Sequence, residues 1–185
     1  MPSPLKREDI SERLAFAERR LQELLQLNQG NLPGADASYR QQLVQEFFFH
    51  LVGATDVLAQ FVNEVRGLGI DPEDVSIMRV SNALSASDPV KSKLAALTAR
   101  TQGRPLPPKP YSDNGYIFRI RNYRHQVTHR RRNPFFFRMG ATPAASFLLD
   151  PRDPTGVPSE RSVQDETEHM LNLIDQRCEE ILALL

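Results

Sequence analysis

The stretch Leu43-Val44-Gln45-Glu46-Phe47-Phe48-Phe49-His50-Leu51-Val52-Gly53-Ala54-Thr55-Asp56-Val57-Leu58-Ala59-Gln60-Phe61-Val62 decides the fold. Its apolar residues fall in two stripes at helical spacing. Leu43, Phe47, Leu51, Ala54, Leu58, Phe61 and Val65 make one, and Phe48, Val52, Ala59 and Val62 make the other. The helix is expected to begin near Ser38, where Ser38 and Gln41 have capping-box spacing, and to run to about Gly67. A helix that is apolar on two sides sits in the middle of a bundle or in a subunit interface.

The flanks carry the same period. Ile10, Leu14, Ala17, Leu21, Leu24 and Leu25 predict an amphipathic helix from about Arg7 to Gln29, stopped by Gly30 and Pro33. Asp71-Pro72-Glu73-Asp74 opens a shorter helix expected to reach Leu84, and Asp88-Pro89 opens another expected to end near Thr101. Gly103 to Pro110 holds four prolines and reads as a loop. Asn114 is placed to cap a helix from Gly115 to Arg132, with Tyr116, Ile120, Tyr123 and Val127 facing inward, before Asn133-Pro134 ends it. The period disappears between Phe135 and Pro158. There, Phe135-Phe136-Phe137 and Ser146-Phe147-Leu148-Leu149 read as a β-hairpin or an ordered loop. Ser162 caps a last helix carrying Val163, Met170, Leu173, Ile174, Cys178, Ile181, Leu182 and Leu185. The expectation is an all-α helical bundle forming a single domain over residues 1–185, with a small insertion at about 133–158 before the last helix.

A chain of 185 residues suits one ordinary domain, and 40% hydrophobic with 25% charged residues is a globular composition, not a disordered one. The single cysteine, Cys178, excludes an internal disulfide framework and a cysteine-rich metal site; its place in an apolar repeat predicts a buried thiol. The start, Met1-Pro2-Ser3-Pro4-Leu5-Lys6-Arg7, has no apolar run, and no stretch is apolar for long enough to span a bilayer. A cytoplasmic protein with no membrane partner is expected.

The formal net charge is zero, so attraction to a polyanion must come from local charge. Between Gly115 and Gly140 there is no acidic residue, whereas Arg119, Arg121, Arg124, Arg130, Arg131, Arg132, Arg138, His125 and His129 all fall there. The last helix carries the opposite charge, with Asp165, Glu166, Glu168, Asp175, Glu179 and Glu180. Arginine in place of lysine matters, because the planar guanidinium grips phosphate through two bonds. The competing reading is that these arginines pair with acidic helices inside the bundle. On an ideal helix His125 and His129 share a face with Arg121 and Arg132, while Arg124 lies about 140° round from His129.

Arg124-His125-Gln126-Val127-Thr128-His129 resembles the Arg-polar-x-x-x-His motif of the HEPN superfamily of small helical bundles. Arg121-Asn122-Tyr123 just before it and the long apolar second helix resemble that family too. The likeness elsewhere is architectural, and the proline loop and the insertion depart from the family. The resemblance implies a bundle that often dimerises with its motifs facing across a groove. Many members are metal-independent endoribonucleases of toxin or defence systems, and others are binding modules without activity. It would make His129 the acid/base and Arg124 the phosphate clamp, with His125 orienting substrate. Histidine titrates near neutral pH and suits proton transfer, while arginine suits the growing phosphate charge. Arg121, Arg130, Arg131 and Arg132 would hold nucleic acid, with support from Asp56 and Asn122.

The implied partners are a second copy, RNA, and a cognate antitoxin or nucleotidyltransferase-like protein. No cofactor is implied. His125 and His129 also have the spacing of a helical metal pair, but Gln126 stands where a zinc protease has its base, and dense arginine repels a divalent cation; no metal is expected. His50 reads first as a hydrogen-bonded core residue, with support of the site as its second reading; Asp56 reads as a partner for an arginine of the motif helix. Two other readings stay open: a non-catalytic module binding nucleic acid, nucleotide or protein, and a structural bundle whose charges pair internally.

Overall fold

The computed structural model describes residues 5–28, 37–98, 111–129, 135–137, 146–149 and 158–185; for residues 28, 37, 125–129, 135–137, 146–149 and 158–160 it describes the backbone alone. The described part is a helical bundle. Its helices are α1 (Arg7–Asn28), α2 (Ala37–Val65), α3 (Ile77–Ala83), α4 (Pro89–Ala96), α5 (Asp113–His129) and α6 (Val163–Leu182), with a single 3-10 turn at Pro72–Asp74. None of these helices is long and apolar enough to cross a membrane.

Helix α2, 29 residues long, is the centre of the bundle. It packs along α1 and also meets α3, α5 and α6. Both of its apolar stripes are largely covered within this one chain, and Val65 at the end of the first stays exposed. Phe47, Leu51 and Leu58 of the first are buried, and so are Phe48, Val52, Ala59 and Val62 of the second. The Phe48 ring stacks on Tyr123 of α5, with centroids 4.8 Å apart. Of the two places open to such a helix, the structure gives it the middle of a bundle.

Local chemistry sets the helix ends. Asp88 accepts from the Val90 amide at 2.8 Å to start α4, and Ser162 accepts from the Asp165 amide at 3.1 Å to start α6. Two expectations need correction. Ser112, not Asn114, opens α5: its hydroxyl accepts from the Gly115 amide at 3.2 Å and its carbonyl from the Tyr116 amide at 2.8 Å. The helix expected over 71–84 is broken, because Asp71 caps only the 3-10 turn. Val75 and Ser76 then run extended, and Ser76 caps α3 by accepting from the Arg79 amide. After α2, the Asn63 side chain bonds both backbone groups of Ile70 and closes a turn in which Gly67 and Gly69 adopt φ of 58° and 68°.

Before α6 lies a small antiparallel sheet. Strand β1 (Phe135–Phe137) pairs with β2 (Ser146–Leu149) as the expected hairpin, with Phe136 opposite Phe147. A third strand, β3 (Pro158–Ser162), adds to β2 and leads straight into α6. Its polar sequence, Pro158-Ser159-Glu160-Arg161-Ser162, carries no strand pattern.

Helices α5 and α6 are joined by a buried ion pair. Arg119 is 1% exposed and Glu166 0%, and the Arg119 guanidinium meets the Glu166 carboxylate directly. The rings of Tyr111, Tyr116 and Tyr123 surround it, with centroids 5.3, 5.8 and 5.9 Å from the guanidinium carbon. Removing one member of such a pair strands a charge in a dry interior. Glu166→Gln is therefore expected to cost about 3–5 kcal/mol in urea unfolding, and an Arg119→Met/Glu166→Leu double variant to regain most of it. Equal losses in both would show that the pair is not what couples the helices.

Candidate functional site

The basic helix α5 turns its apolar face to the core. Tyr116, Ile117, Ile120 and Tyr123 are buried, and the arginines between them go to different places. Arg119 is the largest fully buried side chain described and belongs to the core. Arg121, expected to bind nucleic acid, donates from a half-buried position to the Leu97 carbonyl at 3.0 Å, closing the end of α4. Asn122 donates to the Phe118 carbonyl of its own helix at 2.7 Å.

Arg124 differs from both. Its side chain is 39% exposed and reaches α2, where a guanidinium nitrogen lies 3.5 Å from a carboxylate oxygen of Asp56. This is the pairing that the sequence suggested for Asp56. Burial pushes the Asp56 carboxyl above its ordinary range, while Arg124 and Arg121 draw it back down. Since 41% of that side chain still meets solvent, the pair is partly exposed and contributes little to stability. His125 and His129 lie in the last turn of α5, where the backbone alone is described; Arg130, Arg131 and Arg132 fall outside the described residues.

Four acidic residues of α6 are engaged elsewhere. Glu166 holds Arg119, and Glu179 meets Arg7 at 2.5 Å. Glu180 accepts from Lys93 at 2.8 Å and from Arg177 at 3.0 Å; bonds from Lys93 and Gln176 foremost hold its carboxyl down to about 2. Asp165 accepts from the Ser162 hydroxyl at 2.7 Å.

His50 corrects an expectation. Its ring is half-buried and stacked, lying 5.1 Å from Phe16 at 18° and edge-on to Phe49 at 5.4 Å. Its buried Nδ1 has no hydrogen-bond partner among the described residues. Aromatic neighbours on α1 and α2 supply contact and no acceptor, so the ring is held by stacking. It lies on the α1–α2 side, away from α5. Arg13 and Arg19 of α1 extend this group, lying over Phe49 and Phe16 respectively. Sequence reasoning missed this group; the available signal was Phe16 and Phe49, which fall outside the main apolar stripes of their helices.

A separate cleft of about 250 Å3 opens between α1 and α6, with Leu14, Glu18, Leu171 and Asp175 in its wall. No motif residue lines it. Burial pushes the Asp175 carboxyl up, and Glu179 and Glu18 add to this. Cys178 is buried and its thiol is pushed up to about 12, chiefly by burial, which keeps it protonated and unreactive. Among the described residues no group of three or more His, Cys, Asp or Glu is placed to hold a metal ion.

Comparison with known proteins places the chain in no group: no family model matches it, and no curated protein or solved structure matches it.

The setting of His50 predicts a pH effect. Burial first, then Arg13, lowers its pKa; Arg20 and Arg19 add to this and Glu46 opposes it. The unfolded chain then binds this proton more readily than the folded one, so stability falls as pH drops from the ordinary value of 6.5 through the lower folded value. Above that window the contribution vanishes. Urea unfolding at pH 7.5 and at pH 5 is expected to show a smaller acid loss in His50→Gln than in the wild type. Identical losses would rule the group out as a source of the pH dependence.

Proposed function

We propose that this chain is a HEPN-like domain acting on single-stranded RNA as a metal-independent endoribonuclease of toxin or defence type. The observation that carries the reading is the position of Arg124. It opens the motif, lies in a run of sequence without acidic residues, and keeps a partly exposed guanidinium at the bundle surface. Its carboxylate neighbour, Asp56, belongs to α2 and not to the acidic last helix, and so weak a pair yields readily to a phosphate.

In this reading His129 takes the proton of a ribose 2′-hydroxyl, and the freed oxygen attacks the adjacent phosphorus. The 5′-oxygen leaves with the proton that His129 took up, giving a 2′,3′-cyclic phosphate and a 5′-hydroxyl. Arg124 offsets the charge that builds on the non-bridging oxygens. His125 orients the substrate, and Arg130, Arg131 and Arg132 hold flanking phosphates. Arg121 is removed from this group by its bond to Leu97, and acts by fixing α5 against α4. A second copy across the groove, and a cognate antitoxin or nucleotidyltransferase-like protein in the cytoplasm, complete the reading.

A second reading, a non-catalytic RNA- or protein-binding module, draws support from the same inventory. Arg119 and Arg121 are held inside the bundle, so α5 offers less free positive charge than its sequence suggests.

Cleavage of single-stranded RNA in excess EDTA tests the proposal. His129→Ala is expected to abolish it, and Arg124→Ala to slow it by about 10²–10³-fold with circular dichroism unchanged. Wild type that binds RNA and leaves it intact would establish the module in place of the enzyme. Wild type inert towards RNA, with Arg124→Ala unfolding, would make the motif structural.

Asp56→Asn gives a separate check, because it removes the carboxylate that competes with phosphate for Arg124. RNA affinity is expected to rise about 2- to 5-fold, the scale of one partly exposed ion pair. A fall in affinity would mean that Asp56 must hold Arg124 in place for binding.

A further inference from the structure

The exposed seam between α1 and α2 carries an unbroken ladder of rings and arginines that the motif does not use. Its order is Arg19, Phe16, His50, Phe49, Arg13. The Arg19 guanidinium lies 4.3 Å over the Phe16 ring, Phe16 stacks on His50 at 5.1 Å, Phe49 meets His50 edge-on at 5.4 Å, and Arg13 lies 5.8 Å over Phe49. Phe49 is 50% exposed, the most open large apolar side chain described.

No carboxylate answers the two terminal arginines. Arg19 donates only to the Ala15 carbonyl at 3.4 Å, and neither Arg13 nor Arg19 has an ion pair among the described residues. The nearby Glu23 and Glu46 are held by Arg20, at 2.9 and 3.4 Å. A surface whose apolar rings end in unanswered guanidinium groups fits a ligand with flat apolar faces and distributed negative charge. Bases joined by phosphates have that chemistry, and every base has a face to stack.

The position of the ladder narrows the reading. Phe49, Gly53 and Asp56 stand at i, i+4 and i+7 and so share one face of α2. The Arg13 side chain lies against Gly53 in the middle of this face, where an added Cβ would be in ordinary contact with the Arg13 Cδ at 3.7 Å. Seven residues of helix span about 10 Å, the length of about three stacked nucleotides. One end of the face carries the ladder, and the other carries Asp56 with Arg124 against it.

We infer that the α1–α2 seam is a stacking platform for single-stranded RNA, with a base on the exposed Phe49 ring, which the Phe16–His50 stack supports from below, and phosphates on Arg13 and Arg19, leading the strand along α2 to Arg124. The inference rests on the RNA reading of the motif but concerns a different surface, so the two can fail separately. A protein partner would need carboxylates placed at both ends of the ladder, and a second copy would show itself in the mass.

The test uses the full chain and a mixed-sequence 12-nucleotide single-stranded RNA carrying 2-aminopurine, with affinity read by anisotropy and stacking by quenching. Phe49→Leu keeps bulk and removes the ring. It is expected to weaken binding about 5- to 150-fold, the scale of one lost base stack, and to relieve the quenching. Arg13→Gln and Arg19→Gln are each expected to lower the slope of log affinity against log salt by about 0.7. If these variants lose binding while wild type never cleaves, the platform stands and the ribonuclease reading falls. Affinity lost in Arg124→Ala and unchanged in all three platform variants would overturn the platform and leave the motif as the binding surface. No RNA binding by wild type would overturn both. A variant that alters only the mass in light scattering would assign the seam to a contact between copies, and overturn the platform as well.

Discussion

The ion pair between Arg119 and Glu166 sets the rotation of α5, and the placement of everything on that helix follows from it. A guanidinium and a carboxylate, almost fully removed from water, are costly to bury and tolerable only when they meet closely. The surrounding tyrosines give the cation aromatic faces on three sides, and Tyr123 also accepts from it at 3.3 Å. With Arg119 fixed towards α6, a residue five places on points about 140° away. That residue is Arg124, and the rotation carries it to α2 and Asp56. Tyr123, one place earlier, lands beneath Phe48 and closes the second apolar stripe of α2.

The neutral net charge reflects an internal division of labour. Three carboxylates of the acidic last helix tie α1, α4 and α5 to it through Arg7, Lys93 and Arg119. Arginines near the start of α5 are likewise used in construction. Only towards the end of the described part of α5 does a guanidinium return to the surface, where the motif begins. Helix α2 serves as a spine: two faces are buried, and the remaining one carries Phe49, Gly53 and Asp56 past α1 towards α5. A bundle of this size has few faces that are neither core nor plain solvated surface, and this one joins exposed rings to an ion pair.

Much of the architecture was legible in the chain. The 3.6-residue period located all the long helices, Asp88 and Ser162 marked the starts of α4 and α6, and the apolar repeat around Cys178 announced a buried thiol. Local signals failed where two of them competed. Ser112 and Asn114 are both good caps, and in the structure it is Ser112 that takes the amides of Gly115 and Tyr116. Asp71-Pro72 announces a helix start as clearly as Asp88-Pro89 does, yet only a single turn forms before Ser76 begins a new helix. Strand β3 has no pattern of its own and exists because β2 offers it an edge.

What the sequence determined by itself was the set of helices, their apolar faces, and the concentration of arginine and histidine around Arg124. What only the tertiary structure decided was the fate of each charge. Arg119, Arg121 and Arg124 lie within six residues of one another with similar neighbours, yet one is a core residue, one closes a neighbouring helix, and one stays at the surface beside Asp56. Helical periodicity records which side of a helix avoids water. It carries no information about which group from a distant part of the chain will lie opposite, and for an arginine that opposing group, carboxylate, carbonyl or solvent, is what separates structure from function.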